Sequence, residues 1–323
     1  MNINKGKIDL HESKYQTTLF GYDFYFHSFV KLFKNKKLPN VILLSGEKGL
    51  GKSTFVYHFI NYLLSVDEKN KYIFHDLKII STNYSYNLIK NNIHPNLFLL
   101  ESRLYEDGVK IEQVRNLLKF LSKSTYSHNI KIIMIDDAEN LNLNSSNALL
   151  NALESYNTNT FFFIINSNSS KILNTIKSRA IEFKFFFKLA EKIKILEKLI
   201  NQYELNIELE NIKQFLYFDT PGNLLKYLLI FKDTNIDISK NKFECILYLV
   251  EKYKSKKDTE LLTMASLFIE IFYNDLCKKK ININSCLYNR HKILNEMNDF
   301  KKFNLDKKNL LVSLHNILAN EKR

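Results

Sequence analysis

The stretch GEKGLGKST, residues 46–54, constrains the fold of this chain more than any other part of its sequence. It follows the apolar run VILLS at 41–45, which predicts a buried strand, and apolar residues at helical spacing continue after it to residue 64. Three of the chain's seven glycines lie in this one stretch. A strand, a glycine-rich loop and a helix in this order predict a loop whose backbone N–H groups surround a phosphate, whereas a chance turn is the weaker interpretation.

The loop matches the pattern GxxxxGK[ST], in which each position has an expected role toward a nucleotide. The glycines allow the backbone to turn, the lysine neutralises the β- and γ-phosphates, and the serine hydroxyl ligates Mg²⁺. The helix that is expected to begin at Lys52 adds the positive end of its dipole. The predicted nucleotide-binding residues of the loop are Gly46, Gly49, Gly51, Lys52, Ser53 and Thr54.

A second nucleotide-binding element is predicted at IIMIDD, residues 132–137, an apolar strand that ends in carboxylates. Asp136 is the predicted magnesium partner, together with Ser53. Active enzymes with such a loop usually place glutamate next, to polarise the attacking water, and this chain has Asp137, which is one methylene shorter. Because a misplacement of about 1 Å can cost on the order of 10²-fold in rate, we expect nucleotide binding without efficient hydrolysis. Asp137 has two interpretations, a doubtful catalytic carboxylate or a cap of the following turn.

A third element is TIKSRA at 175–180, where an arginine stands in a chain strongly biased to lysine. Only five of the 47 basic residues are arginine, so Arg179 suggests a planar, bidentate contact to phosphate that lysine cannot copy. A surface ion pair is the alternative.

The order of the apolar segments predicts an α/β domain followed by helical ones. Further buried strands are expected at 96–101, 130–137 and 160–166, with amphipathic helices at 111–124 and 145–156, the latter capped by Ser or Asn. Strands that alternate with helices indicate a parallel sheet covered on both faces. From about residue 188 the apolar spacing is helical throughout, in segments that include 207–218 and, as the last of them, 308–320. The predicted domains are 1–187, 188–235 and 236–323.

Composition limits the class of protein. The formal net charge of +13 predicts a weak, salt-sensitive attraction to nucleic acid, although general lysine enrichment would produce the same excess. Three widely spaced cysteines fit neither a disulfide framework nor a zinc site. No run approaches the roughly 18 apolar residues of a membrane span, and residues 1–13 lack the apolar core of a signal peptide, so a cytoplasmic location without membrane contact is expected.

Together these motifs resemble the AAA+ clamp-loader subunits, in particular the delta-prime subunits of bacterial DNA polymerase III. The resemblance extends over most of the first 230 residues. Its most specific parts are NALLNALE after the Asp-Asp strand and TIKSR before the next strand; the last third of the chain is compatible with the family's helical collar. Further matching segments are LFGYD (19–23), HPNLFLLE (94–101) and DTPGNLLKYL (219–228).

The resemblance implies an AAA+ domain, a small helical lid and a helical collar for oligomerisation, with ATP and Mg²⁺ as cofactors. It implies that Arg179 reaches the ATP site of a neighbouring subunit in trans, although Ala180 replaces the cysteine of the family's SerArgCys signature. Asn166 or Ser167 would sense the γ-phosphate, and Asn223 replaces a second sensing arginine of related ATPases. The four-cysteine zinc module of many members is expected to be absent, with residues 65–95 in its place.

The function that the resemblance implies is that of an assembly component. It would pack into a hetero-pentameric ring with other clamp-loader subunits and help to place the sliding clamp on primed DNA. A self-sufficient AAA+ ATPase acting on DNA or protein is one alternative, and a small-molecule kinase with the same kind of loop is another. Substantial turnover by the chain alone would favour the first alternative, and an acceptor-binding domain would favour the second.

Overall fold

A computed structural model of the chain describes most of its residues. The described residues are 12–101, 111–123, 130–154, 156, 158–167, 174–232, 234, 236–238, 240–256, 259–278, 283–303, 310, 312–314 and 316–317. They form two compact units, the first comprising Met1–Leu199 with Thr220–Asn223 and the second Ile200–Asp219 with Leu224–Arg323. The division into three domains at residues 187 and 235 stays a prediction.

The predicted parallel sheet is confirmed. Its strands are β1 (Val41–Ser45), β2 (Leu97–Glu101), β3 (Lys131–Asp136), β4 (Thr160–Asn166) and β5 (Ile181–Lys184). Their order across the sheet is β2-β3-β4-β1-β5, and every neighbouring pair is parallel. All carboxyl ends therefore lie at one edge of the sheet, where ligands of open α/β sheets bind.

The described residues of the first unit also form helices, among them the ones predicted after the glycine-rich loop, at 111–124 and at 145–156. They are α1 (Asp23–Lys34), α2 (Lys52–Leu64), α3 (Tyr84–Lys90), α4 (Ile111–Ser122), α5 (Leu143–Glu154), α6 (Asn174–Lys177) and α7 (Leu189–Gln202), which runs into the second unit. Asn142 supplies the predicted cap of α5, because its Oδ1 accepts the N–H of Ser145 at 2.8 Å. Residue 124, the predicted end of α4, lies outside the described residues.

The central strands are buried on both faces, which is why they are continuous apolar runs rather than alternating ones. In β1, Ile42 and Leu44 join the apolar cluster that includes α1 and α2, whereas Val41 and Leu43 join the cluster that includes α4 and α5. The edge strand β5 differs, since Ile181 is 55% exposed.

The second unit is helical. Its main helices are α8 (Leu209–Ile212), α9 (Pro221–Phe231), α10 (Lys242–Lys256), α11 (Thr259–Lys278) and α12 (Ile283–Phe303), with α9 beginning inside the first unit. The predicted helix at 207–218 is divided, because a 3₁₀ segment at Lys213–Tyr217 follows α8. Most of the last predicted helix, 308–320, lies outside the described residues. None of the described helices is long and apolar enough to cross a membrane.

Residues 65–95 fold around a buried asparagine. The side-chain oxygen of Asn83 accepts the N–H of Tyr86 at 2.6 Å and the amide of Asn61 at 2.8 Å, and its amide donates to the carbonyl of Asn70 at 2.7 Å. Asn83 thereby caps α3 and ties it to α2. A four-cysteine zinc module does not fit this segment, because the first cysteine of the chain is Cys245.

A fully buried histidine on α2 makes stability depend on pH. His58 Nε2 donates to the carbonyl of Gln16 at 3.0 Å, and in the neutral ring Nδ1 accepts the hydroxyl of Tyr72 at 3.0 Å. Burial lowers the pKa of His58 from 6.5 to about 3. The unfolded chain therefore binds this proton below about pH 6.5 while the folded chain does not, and stability falls as pH falls from 6.5 toward 3.

We expect the free energy of unfolding to decrease by about 2 kcal/mol between pH 7.5 and pH 5 on account of His58. Urea unfolding of wild type and His58→Gln at both pH values would measure it, with His75→Gln as the matched control because His75 is exposed. An equal pH dependence in wild type and His58→Gln would contradict the assignment.

Candidate nucleotide-binding site

The predicted phosphate loop connects β1 to α2 at the carboxyl edge of the sheet. Gly49 and Gly51 have φ values of +83° and +87°, a left-handed conformation that glycine adopts without steric cost. α2 begins at Lys52, as the pattern predicts, and Ser53 and Thr54 occupy its first turn. The N-terminal N–H groups of the helix therefore face the end of the loop.

The side chain of Lys52 turns back toward the loop and hydrogen-bonds to its backbone. Lys52 Nζ donates to the carbonyls of Gly46 at 2.8 Å and Glu47 at 2.7 Å, and its side chain is almost fully buried. It also donates to Ser167 Oγ at 3.2 Å. A buried ammonium inside a glycine-rich loop is the feature that an anionic phosphate would require, because a desolvated positive charge interacts strongly with anions.

Ser53 and Asp136 meet across the site. Ser53 Oγ lies 3.0 Å from Asp136 Oδ1 and 2.9 Å from Oδ2, and both residues are buried. A hydroxyl on the first turn of α2 and a carboxylate at the end of β3 are thus adjacent, as the sequence predicts. Both are oxygen ligands of the kind that Mg²⁺ accepts, so the residues present fit a magnesium-bound nucleotide.

The end of β4 brings its polar residues to the same place. Asn166 is buried and pairs in register with Ser45, the residue before the loop, and Ser167 contacts Lys52. The backbone N–H of Ser167 also lies 3.3 Å from each oxygen of the Glu139 carboxylate. Sequence reasoning missed Glu139, since its contact depends on the turn after β3 rather than on any motif.

Asp137 begins a tight turn. Its φ and ψ are 53° and 50°, a left-handed conformation that aspartate tolerates better than most residues, and its N–H donates to Asp136 Oδ1 at 3.0 Å. The 3₁₀ turn Ala138–Asn140 follows, and the Asp137 side chain makes no capping hydrogen bond to it. The backbone of Asp137 thus shapes the turn after Asp136, the predicted magnesium partner, and the catalytic role of Asp137 stays a prediction.

A distant segment of the first unit, Thr220–Asn223, packs against the loop. Thr220 Oγ1 and Asn223 Nδ2 both donate to the carbonyl of Lys48, at 2.8 Å and 3.3 Å. The N–H of Gly222, in the first turn of α9, donates to the carbonyl of Gly49 at 3.0 Å. Asn223, which replaces the expected second arginine, thus contacts the backbone of the loop.

Arg179 lies at the end of the sheet that is opposite the phosphate loop. It precedes β5 by two residues, and β5 is parallel to β1, so Arg179 is near the amino ends of the strands while the loop is at their carboxyl ends. Its guanidinium donates through Nε to Glu154 Oε1 at 2.8 Å, through Nη2 to the same oxygen, and through Nη1 to the carbonyl of Thr175 at 3.1 Å. Arg179 therefore forms the surface ion pair that was its alternative interpretation, and the side chains of Arg179 and Glu154 are 36% and 55% exposed.

Comparison with known proteins identifies the family. A family model described as DNA polymerase III, delta subunit, matches residues 23–187, just over half of the chain. The DNA polymerase III delta-prime subunit of Pseudomonas aeruginosa is 30% identical over 140 residues, which are 43% of this chain and 41% of that protein. The Replication factor C small subunit of Methanosphaera stadtmanae is 26% identical over 235 residues, 72% of this chain and 64% of that protein.

A solved structure, a DNA polymerase III gamma subunit-related protein from Thermotoga maritima, aligns with 91% of this chain and 98% of that one, with a TM-score of 0.45 and 15% identity. The matched part of the chain spans less than half the length of the delta-prime relative from Pseudomonas aeruginosa. Because the family model covers more than half of the chain and encloses all five strands of the sheet, this protein belongs to the DNA polymerase III delta-subunit family of AAA+ clamp-loader subunits.

Proposed function

We propose that this chain acts as a delta-prime-like subunit of a DNA polymerase III clamp loader and supplies Arg179 to the ATP site of a neighbouring subunit. One observation carries the proposal. Arg179 is exposed and lies near the amino ends of the strands, whereas the chain's own phosphate loop lies at their carboxyl ends.

Geometry supports a role in trans. In the register of the sheet, Ile181 pairs with Ile42 and Lys184 with Ser45, the last residue before the loop. Three residues of strand separate these two pairs, which is about 10 Å, and Arg179 lies two residues further back along the chain. An arginine side chain that points to Glu154 and Thr175 at that edge cannot also reach the chain's own Lys52 region.

The loop itself supports nucleotide binding by this chain. We propose ATP with Mg²⁺ as the ligand, held by Lys52 and the loop amides at the phosphates and by Ser53 and Asp136 at the metal. When bound, Mg²⁺ neutralises phosphate charge and orients the phosphate oxygens. Asn166 and Ser167, at the end of β4, are the residues that we propose to respond to the γ-phosphate, because Ser167 already contacts the ammonium of Lys52.

We propose that the chain alone hydrolyses ATP poorly. Asp137 replaces the usual glutamate and lies in a left-handed turn, and Asn223 replaces a second arginine and donates to the loop backbone. The carboxylate of Asp137 is one methylene shorter than that of the glutamate that usually polarises water, and the neutral side chain of Asn223 lacks the charge of an arginine that would contact the γ-phosphate.

The partners that we propose are the other subunits of a hetero-pentameric loader, the sliding clamp and primed DNA, in the cytoplasm. The family assignment supports the subunit partners, and the formal net charge of +13 supports weak attraction to DNA. The division into an AAA+ domain (1–187), a helical lid (188–235) and a helical collar (236–323) belongs to this proposal.

The test compares ATP turnover by the isolated chain with turnover by a reconstituted loader, with and without this chain, in the presence of clamp and primed DNA. We expect the isolated chain to hydrolyse ATP at under about one hundredth of the rate of the complete loader, and stimulated turnover to require the chain. A self-sufficient ATPase would instead show full turnover alone. That result, or full stimulated activity in a loader that lacks the chain, would overturn the proposal.

A further inference from the structure

The outside of the phosphate loop carries an unusual set of hydrogen bonds. Three consecutive carbonyls of the loop, those of Lys48, Gly49 and Leu50, each accept a donor from outside the loop. The donors come from two parts of the first unit that are far from the loop in sequence, the start of α1 and the segment Thr220–Asn223.

Two of these carbonyls are held by Thr220–Asn223. The carbonyl of Lys48 accepts two hydrogen bonds, from Thr220 Oγ1 and from Asn223 Nδ2, as many as a carbonyl oxygen has lone pairs. The carbonyl of Gly49 accepts the N–H of Gly222. Because Pro221 has no N–H, Gly222 offers the first backbone donor of α9, and the loop satisfies it.

The third carbonyl is held by Tyr22. Its hydroxyl donates to the carbonyl of Leu50 at 2.9 Å, and its ring is packed among Phe55, Phe185 and Phe187. Burial raises the pKa of Tyr22 well above its usual value, so the hydroxyl keeps its proton and remains a donor.

Because the peptide bond is planar, the direction of these carbonyls also fixes the direction of the backbone N–H groups of the loop. In a trans peptide the C=O of one residue and the N–H of the next point in opposite directions. Carbonyls of Lys48, Gly49 and Leu50 that face outward therefore direct the N–H groups of Gly49, Leu50 and Gly51 away from Thr220–Asn223 and Tyr22. By contrast, the carbonyls of Gly46 and Glu47 face Lys52.

We propose that Tyr22, Thr220, Gly222 and Asn223 are positioning residues that preset the amides of the phosphate loop for a polyphosphate, and so determine how tightly this chain binds ATP. This inference rests on the nucleotide binding proposed above. Amides that are aligned before the ligand arrives lose no orientational freedom on binding, which is why fixing them increases affinity.

Two glycines mark how closely the segment approaches the loop. A Cβ at Gly49 would overlap Thr220 Oγ1 and the side-chain amide of Asn223, and a Cβ at Gly222 would overlap the carbonyl oxygen of Gly49. The contact therefore depends on the absence of a side chain at both positions. It is too close for a water molecule between the two backbones.

The test uses the full-length chain and measures binding of MgATP and of tripolyphosphate, which carries the phosphates without the base, by isothermal titration calorimetry. The variants remove single donors: Thr220→Val keeps the shape of the side chain and loses its hydroxyl, and Tyr22→Phe loses only the phenolic hydroxyl. Thr220→Ser restores the donor. Thr234→Val and Tyr25→Phe are matched controls, because their hydroxyls donate to the carbonyls of Phe231 and Phe186 instead of the loop.

We expect Thr220→Val and Tyr22→Phe each to weaken both ligands by about 3- to 10-fold, Thr220→Ser to bind like wild type, and the controls to be unchanged. Equal loss for ATP and tripolyphosphate would locate the effect at the phosphates. Unchanged affinity in Thr220→Val and Tyr22→Phe, while wild type binds, would overturn this inference and leave the proposed nucleotide binding intact. No binding of either ligand by wild type would overturn both.

Discussion

Arg179→Ala is expected to reduce the clamp- and DNA-stimulated ATPase rate of a reconstituted loader by about 10²-fold or more, while the isolated chain is unaffected. Arginines that act in trans on a neighbouring nucleotide contribute about 10³–10⁵ in rate in GTPase systems, and the exposed guanidinium of Arg179 has the donors for a bidentate phosphate contact. Arg179→Lys should recover only a small part of the rate, because lysine keeps the charge and loses the planar pair of donors.

The control for this variant must remove an ion pair of the same kind elsewhere. Arg290 pairs with Glu270 at 3.5 Å, with side chains 41% and 35% exposed, so Arg290→Ala deletes a comparable arginine–glutamate contact. Exposed pairs contribute about 0–1 kcal/mol to stability, so neither variant should change the melting temperature much. If both variants leave the stimulated rate unchanged, Arg179 is an ordinary surface ion pair with Glu154 and the role in trans is wrong.

Sequence could predict the sheet because its strands carry a strong local signal. β1, β3 and β4 are runs of five to seven residues that are buried on both faces, and the glycine-rich loop fixes which strand comes before the phosphate site. The same signal was absent from α12. Its buried residues, Cys286, Ile293, Met297 and Phe300, form a sparse stripe among polar and charged ones, so the sequence predicts this helix only as part of the helical region after residue 188 and not by its own bounds.

The sequence predicts the motif residues of the candidate site and Ser167, which contacts Lys52, but not the contacts that Tyr22 and Thr220 make with the loop. Lys52, Ser53 and Asp136 follow from the pattern, and the structure brings them together. Tyr22 and Thr220 contact the same loop across 28 and 172 positions of sequence, through single hydroxyl groups that leave no local periodicity. Such contacts depend on the packed fold and cannot be derived from spacing alone.

Lys52→Met is expected to weaken MgATP binding by the full-length chain by about 10²-fold. This effect and that of Arg179→Ala are the two largest that we expect. The ammonium of Lys52 is buried, and a hydrogen bond from a charged donor to phosphate contributes about 1.5–3 kcal/mol, or more where water is excluded. Methionine has a similar length and removes only the charge and its donors. Calorimetric titration of wild type and variant with MgATP would measure the change, with Lys71→Met as control because Lys71 is exposed outside the loop.

The two large effects should separate, since Lys52 and Arg179 lie at opposite edges of one sheet. Lys52→Met should weaken nucleotide binding by this chain by about 10²-fold, and Arg179→Ala should leave that binding unchanged while it lowers the rate of the assembled loader. Equal ATP affinity in wild type and Lys52→Met would mean that Lys52 does not hold the phosphates. No ATP binding by wild type, together with a large loss in Arg179→Ala, would mean that the chain serves its neighbour without a nucleotide of its own. Loss of ATP binding in Arg179→Ala would contradict the separation, because an arginine at the amino edge has no direct contact with the loop.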